Sequence, residues 1–330
     1  MDRQPFISII IPVYNGTKFL NQCLEALSAS SYSSYEVIVV DDASTDDSAE
    51  IARGKGVTVL QLPRQSGPAA ARNYGAQQAK GDILFFVDSD VLVQRGTVAR
   101  VAADFQQNPD IAAVFGSYDD SPAEHNFLSQ YKNLLHHFVH QQSSREAATF
   151  WAGCGAIRRE VFQEVGGFDQ KRYARPSIED IELGYRMRRM GYRIMLDKHL
   201  QAKHLKQWRF GSLLRADILY RAVPWTQLIL ESREMLEDLN LRISHRVSAG
   251  LVGLSVAIFP FSLFKPQLLY SISFFLAIVV VLNYELYRFF LSRKGLRFVA
   301  LAIPSHLFYY FYSGVTFVLF WSVHVFTERR

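Results

Sequence analysis

Residues 81–90, the run Gly81-Asp82-Ile83-Leu84-Phe85-Phe86-Val87-Asp88-Ser89-Asp90, constrain the fold more than any other stretch of this chain. A continuous apolar segment of this length, bounded by turn chemistry, reads as a strand buried on both faces, as at the middle of a parallel sheet. It ends abruptly in two carboxylates with one small residue between them, so the acids stand at the strand's C-terminal edge. Ligands of open α/β sheets bind at that edge. Two carboxylates converging there suit a hard divalent cation that keeps waters and bridges phosphate oxygens. An Asp-x-Asp tripeptide also commonly closes a solvated turn or caps a helix, so its neighbours must carry the argument.

Those neighbours repeat the pattern. Residues 6–13 are an apolar, β-branched run that reaches a loop at Pro12-Val13-Tyr14-Asn15-Gly16, and Phe19, Leu20, Cys23, Leu24 and Leu27 then recur at helical spacing. A second strand over 35–40 ends in Asp41-Asp42-Ala43-Ser44-Thr45-Asp46, where Ser44 or Thr45 is placed to cap the next helix. After a short strand at 57–62, residues 64–76 form a loop feeding an alanine-rich helix. Its small side chains permit close approach to a neighbour or ligand, and its N-terminus favours anions. Further strands are expected at 111–116 and 193–196, with helices at 130–142 and 159–165 and another opening at Glu179. The alternation predicts an α/β fold with a mainly parallel, Rossmann-like sheet and helices on both faces.

The chain has 330 residues, enough for one ordinary domain and a substantial further portion. That portion is apolar and aromatic: segments 248–264, 268–291 and 298–326 each approach or exceed the roughly 18 residues that cross a bilayer. The N-terminus lacks the basic and apolar regions of a signal peptide, so the first domain is expected in the cytosol. Arg288, Arg293, Lys294 and Arg297 lie between the second and third apolar segments, whereas the first link carries only Lys265. The positive-inside rule places the richer link on the cytoplasmic side. Pro304 and His306 permit a broken or re-entrant third segment. A net charge of +5 raises nucleic acid as a partner, but the basic residues concentrate near the apolar segments, where anionic lipid explains them more simply. Cys23 and Cys154 have neither metal-ligand nor disulfide spacing and are expected as reduced thiols.

Three further clusters stand out. His136, His137 and His140 share a helical pattern without an acidic partner, so an interfacial or solvated face is the simpler expectation than a metal site. Trp151-Ala152-Gly153-Cys154-Gly155 is small and apolar, and its glycines suggest close approach by a substrate. Glu179-Asp180-Ile181-Glu182 opens a helix, where acids serve either the helix dipole or catalysis.

Pro12 to Asn15, Val40 to Asp46, Gly67 to Asn73, Asp88-Ser89-Asp90, Gly153-Cys154-Gly155 with Gly167-Phe168-Asp169, and Glu179-Asp180 together resemble, in order, the motifs of family-2 inverting glycosyltransferases with a GT-A fold. The likeness covers roughly residues 5–208. It implies that Pro12, Tyr14, Asn15, Asp41, Asp42, Arg72, Asp88 and Ser89 bind a nucleotide sugar, with a UDP-sugar as the favoured donor. It implies an Mg or Mn ion at Asp88 and Asp90, with His204 completing the site, and Asp180 as general base with Glu179 as its orienter. Trp151, Gly153, Cys154 and Trp208 fall on the acceptor side. Processive members carry Gln/Arg-x-x-Arg-Trp late in the domain; Leu205-Lys206-Gln207-Trp208-Arg209 departs from it and argues against processive synthesis.

The expected organisation is therefore a catalytic domain over 1–209, amphipathic interfacial helices over 210–247 broken at Pro224, and a transmembrane region over 248–330. A transferase tethered to a membrane in this way is expected to use a lipid-linked or glycan acceptor. Transfer to a polyprenyl phosphate needs no base, so Glu179-Asp180 favours a hydroxyl acceptor. A non-catalytic nucleotide-sugar-binding subunit is the competing reading, and intact Asp88, Asp90 and Asp180 argue against it. A transporter is disfavoured because few ionisable residues lie in the apolar segments.

Overall fold

The computed structural model describes residues 4–232 and 242–328. The chain divides into two compact units, Met1–Gln207 and Trp208–Arg330. In the first, β1 (Ile7–Val13), α1 (Thr17–Ser28), β2 (Tyr35–Asp41), α2 (Ser48–Gly54), β3 (Thr58–Gln61), α3 (Pro68–Gln78), β4 (Ile83–Val87), β5 (Val91–Val93) and α4 (Thr97–Gln107) follow in turn. Then come β6 (Ile111–Tyr118), α5 (Phe127–Gln142), β7 (Glu146–Ala147), β8 (Cys154–Arg158), α6 (Arg159–Glu164), α7 (Glu179–Arg189) and β9 (Arg193–His204).

These strands make one nine-stranded sheet in the order β3-β2-β1-β4-β8-β6-β9-β5, with β7 on β9. Successive side chains of a strand point to opposite faces, which is why the apolar runs are continuous. Ile9, Ile11, Phe85 and Val87 join α1 and α4 in one core. Ile10, Leu84 and Phe86 join α3, α6 and α7 in the other. Burying each of these large side chains contributes about 1.5–3 kcal/mol. The alanines of α3 serve this packing: Ala69, Ala71 and Ala76 are buried with Ile10 and Val40.

From β3 to β4 the sheet is parallel, as the alternation predicts. Beyond β4 it is mixed, because β8 runs antiparallel to both β4 and β6. The strand expected at 193–196 continues to His204, crossing a register irregularity where Phe115 pairs with Leu196 but Ser117 pairs with Gln201. That extension carries His204 to β5, opposite Val91.

Two local expectations change. Asp47, not Ser44 or Thr45, holds the N-cap position of α2, without a side-chain cap bond. Instead Ser44 Oγ accepts the amide of Asn15, and Thr45 donates to the Asn15 side chain. The histidines of α5 do not form a solvated face: His137 and His140 are buried. His137 Nδ1 lies 2.8 Å from the Tyr118 carbonyl, and His136 and His140 stack on one another.

The second unit contains α8 (Phe210–Asp217), a π-helical turn at Ile218–Ala222, α9 (Val223–Ser232), α10 (Ile243–Ile258) with a 3₁₀ turn at Phe259–Leu263, α11 (Leu268–Leu282), α12 (Tyr284–Lys294) and α13 (Leu296–Glu328). Within the expected interfacial span 210–247, residues 233–241 lie outside the described residues. Ile243–Leu263 and Leu296–His324 are long and apolar enough to cross a membrane, and α11 and α12 form a pair bent by 67°. The break therefore falls elsewhere than Pro304, which lies inside the continuous α13. It falls at Asn283, whose side-chain amide donates to Ser248 Oγ at 3.1 Å and whose carbonyl accepts the Tyr310 hydroxyl at 2.8 Å. Tyr287 and the buried His306 meet at 3.0 Å.

Candidate active site

The C-terminal ends of β1, β2 and β4 bring their loops to one edge, where side chains lace them together. Asn15, at a positive φ of 50°, accepts Thr45 N–H at 2.9 Å, Ser48 Oγ accepts Gly16 N–H at 2.8 Å, and Asp46 accepts Thr17 N–H at 3.2 Å. Ala43 also has a positive φ, 58°, where a residue with a Cβ is strained. Strain of this kind concentrates at ligand-binding loops. Tyr14 stands 43% exposed on this edge. Ser89 Oγ would lie 3.5 Å from a Cβ added at Gly16, so the β4 loop reaches the β1 loop.

Asp41 and Asp42 are buried and bonded. Asp41 accepts Ser44 N–H at 3.1 Å and Gln61 Nε2 at 3.0 Å. Asp42 accepts Ser66 N–H at 2.7 Å and Gly67 N–H at 2.8 Å, and burial raises its carboxyl above the usual range. Gly67 takes φ 89°, and a Cβ there would strike the Ala174 carbonyl at 2.4 Å. Pro12, expected in the loop, lies inside β1 opposite Val40 and is buried, so its side chain does not reach the edge.

The centre of the site is Arg72. Its Nη1 donates to Glu179 Oε1 at 2.8 Å and its Nη2 to Asp88 Oδ1 at 2.7 Å. The guanidinium is 5% exposed and lies 5.5 Å from the centre of the Phe168 ring. Arg72 thereby joins the β4 acids to the opening of α7. Phe168 and Asn73 lie within the family-like motifs, but the sequence assigns them no role; Asn73 clamps the turn by accepting Phe168 N–H at 2.9 Å and donating to its carbonyl at 2.8 Å.

Glu179 spends its other oxygen on Ser177 N–H at 2.9 Å, so it is held on both sides. Asp180 accepts Ala152 N–H at 3.0 Å and Ile181 N–H at 2.8 Å. Burial first, and then the neighbouring Glu179, push its carboxyl up to about 7. Asp88 is also raised by burial, against the pull of Arg72. Asp90 goes the other way: burial would raise it, but His204 and then Lys206 outweigh burial and hold it low.

His204 Nε2 sits 3.6 Å from Asp90 Oδ2. Among the described residues no group of three or more His, Cys, Asp or Glu side chains forms a ready-made metal cage. An ionised Asp90 with an imidazole beside it fits a hard cation that takes its remaining ligands from phosphate oxygens and water. Mn would use the imidazole better than Mg.

The acceptor-side residues separate. Trp151 is part-exposed and meets Tyr118 edge-on at 4.8 Å. Gly153 is explained by the chain itself rather than by a substrate: a Cβ there would lie 2.6 Å from the Trp151 ring. Cys154 is fully buried in the core opposite Val87, and burial pushes its thiol up to about 12, so it is a packing residue and not an acceptor contact. Trp208 is the first residue of the other unit.

Residues 8–166 match the family described as glycosyl transferase family 2. Glycosyltransferase GlyG of Streptococcus pneumoniae is 27% identical over 264 residues, covering 74% of this chain and 82% of that protein. The chain spans 48% of an uncharacterized glycosyltransferase of Haemophilus influenzae that is 38% identical over 35% of this chain. Among solved structures, mannosyltransferase PcManGT from Pyrobaculum calidifontis, in complex with GDP-Man and Mn2+, is similar with a TM-score of 0.58 at 18% identity, covering 96% of this chain and 88% of that one. TarS 1–349 of S. aureus with UDP-GlcNAc is similar with a TM-score of 0.53 at 20% identity, covering 92% and 90%. These two likenesses concern the fold.

Proposed function

Because the chain carries a glycosyltransferase family 2 domain and is a glycosyltransferase, we propose that it moves a sugar from a nucleoside-diphosphate sugar to a hydroxyl of a lipid-linked or glycan acceptor, with inversion. The observation that carries this reading is Asp180: a carboxyl raised to about 7, held by Ala152 N–H, next to a Glu179 locked by Arg72. A general base works best when its pKa lies near the operating pH.

The acceptor oxygen attacks the anomeric carbon on the face opposite the diphosphate, and the bond from that carbon to the diphosphate oxygen breaks. The hydroxyl proton passes to an Asp180 oxygen. Glu179 is committed to its ion pair with Arg72, whereas Asp180 is held by the backbone amides of Ala152 and Ile181. Tyr14 and the laced β1 and β2 loops receive the nucleotide, and Asp88 and Ser89 face its ribose and phosphates. Asp90 with His204 would hold Mg or, better, Mn, which when bound supplies Lewis-acid neutralisation of the leaving diphosphate. A hydroxyl acceptor is supported over a phosphate acceptor, since an anionic acceptor has no proton for Asp180 to remove.

The apolar helices support a membrane-bound enzyme. Arg288, Arg293 and Lys294 are exposed on α12, with Arg297 following on α13. The positive-inside rule then puts this end on the cytoplasmic side. The lipid-linked acceptor follows from that tether.

The test is thermal stabilisation of the detergent-purified chain by UDP, GDP and dTDP, each with and without Mn2+. A ligand at a hundred times its Kd stabilises by about 2.7 kcal/mol. Metal-dependent stabilisation by one nucleotide is expected and names the donor class; none with any nucleotide overturns the reading in favour of a non-catalytic subunit.

A further inference from the structure

We propose that Tyr118 is a positioning residue for His204, setting the plane of the imidazole toward Asp90. The inference rests on the reading of His204 as a metal ligand given above. The two rings lie face to face, 4.2 Å between centres and 8° between planes. Tyr118 ends β6 and is paired with Ala202 on β9, two residues before His204, so the sheet itself delivers both rings to one place.

Tyr118 is fixed from behind. Its carbonyl meets His137 Nδ1 at 2.8 Å, and the next residue's amide donates to the Ala202 carbonyl at 2.9 Å. Its ring is backed by His136 at 4.4 Å and by the edge of Trp151 at 4.8 Å. His204 has an anchored backbone as well, since Leu205 N–H donates to the Asp90 carbonyl at 2.9 Å. With the backbone set, the freedom left to the imidazole is rotation about its side-chain bonds. A flat wall on one face removes most of that freedom while leaving Nε2 directed at Asp90. A ligating histidine is ordinarily oriented by groups outside the metal's own shell, and their loss costs affinity. Here an aromatic face supplies the orientation. The same stack explains the histidines of α5: His136 and His140, stacked at 3.9 Å, continue the support into the core.

The experiment is Mn2+ titration of the full detergent-purified chain in the presence of UDP and, separately, GDP, read by electron paramagnetic resonance. Spin-echo modulation from a coordinated imidazole nitrogen is the second readout. The native protein should show that modulation, and His204→Ala should lose it. Tyr118→Leu should weaken Mn2+ about tenfold and diminish the modulation, while Tyr118→Phe, which keeps the ring, retains both. Tyr118→Met, which keeps bulk without a ring, should behave as Tyr118→Leu does and serves if the latter folds poorly, with circular dichroism as the check on folding. Unchanged affinity and modulation in Tyr118→Leu or Tyr118→Met would overturn the inference while leaving His204 a ligand. Absence of imidazole modulation in the native protein would overturn the His204 assignment itself.

Discussion

Each unit of the chain buries a polar network, and the two are built from different chemistry. In the sheet unit the network is ionic: Arg72 between Asp88 and Glu179, with Asp180 adjacent. In the helical unit it consists of an amide, two hydroxyls and an imidazole: Asn283, Ser248, Tyr310 and His245, the last two meeting at 2.7 Å. At the C-terminal edge of the sheet, three carboxylates gather around one guanidinium, so the network is built from ionisable groups. Among helices apolar enough to cross a bilayer, a central charge costs about 2.5–3.5 kcal/mol by insertion scales, so neutral hydrogen-bonding groups do the joining. The difference teaches that the first network gathers charge where titration and ion binding can alter it, and the second joins helices at a bend without charge.

The largest effect should come from Asp180→Asn, which keeps the shape but removes the proposed base. Transfer is expected to fall about 10²–10⁴-fold, the usual worth of a general base, while nucleotide-induced thermal stabilisation stays near the native value. Near-normal transfer would move the base elsewhere. Next is Arg72→Met, which strands the buried Glu179 and the half-buried Asp88 and should cost about 3 kcal/mol of stability. A double variant with Glu179→Gln should recover part of that loss in thermal melts; no recovery would mean the ion pair is not what the substitution broke.

The pH dependence sharpens the ionic side of the comparison. Asp180 is raised to about 7 in the fold from an ordinary carboxylate value, so its neutral form is the one the fold favours. Stability from this group is full below its unfolded pKa and is lost as pH rises through about 7. Transfer should rise with pH over the same range as the base ionises. Asp180→Asn should therefore melt higher than the native protein at pH 8 and lose most of that advantage at pH 5; equal differences at both values would contradict the buried, raised carboxyl. The smallest effect belongs to the helical network. Asn283→Leu should cost about 0.6 kcal/mol, and at most about 1.7, as interhelical hydrogen bonds in membranes do. A loss of several kcal/mol would show that the bend at Asn283 supports more than its own contacts.

Much of the first unit was legible because strand and helix periodicity is local. The runs ending at Val13, Asp41 and Val87 are apolar on both faces, and their acids mark the ligand edge. What escaped was β8: a strand opening with Cys154, Gly155 and Ala156 resembles a substrate-facing segment, and only its place between β4 and β6 reveals that Gly155, with Gly153 just before it, accommodates Trp151 and Phe150. Cys154 was misread for the same reason. In the helical unit, Pro304 looked like the natural break, yet α13 runs through it while the apolar segment before it bends at Asn283. Proline signals a missing hydrogen bond, but whether a helix breaks depends on what neighbouring helices offer the freed groups.

By itself the sequence determined the α/β alternation, the edge at which Asp88 and Asp90 stand, the acidic opening of α7 and the apolar segments, because each follows from the spacing of residues within a few turns or one strand. Tertiary structure alone decided that Arg72 would bind Glu179, 107 residues away, and that Tyr118 and His136 would back His204. Those partners are set by sheet order and register, which bring distant residues within a few ångströms; no local pattern encodes that proximity.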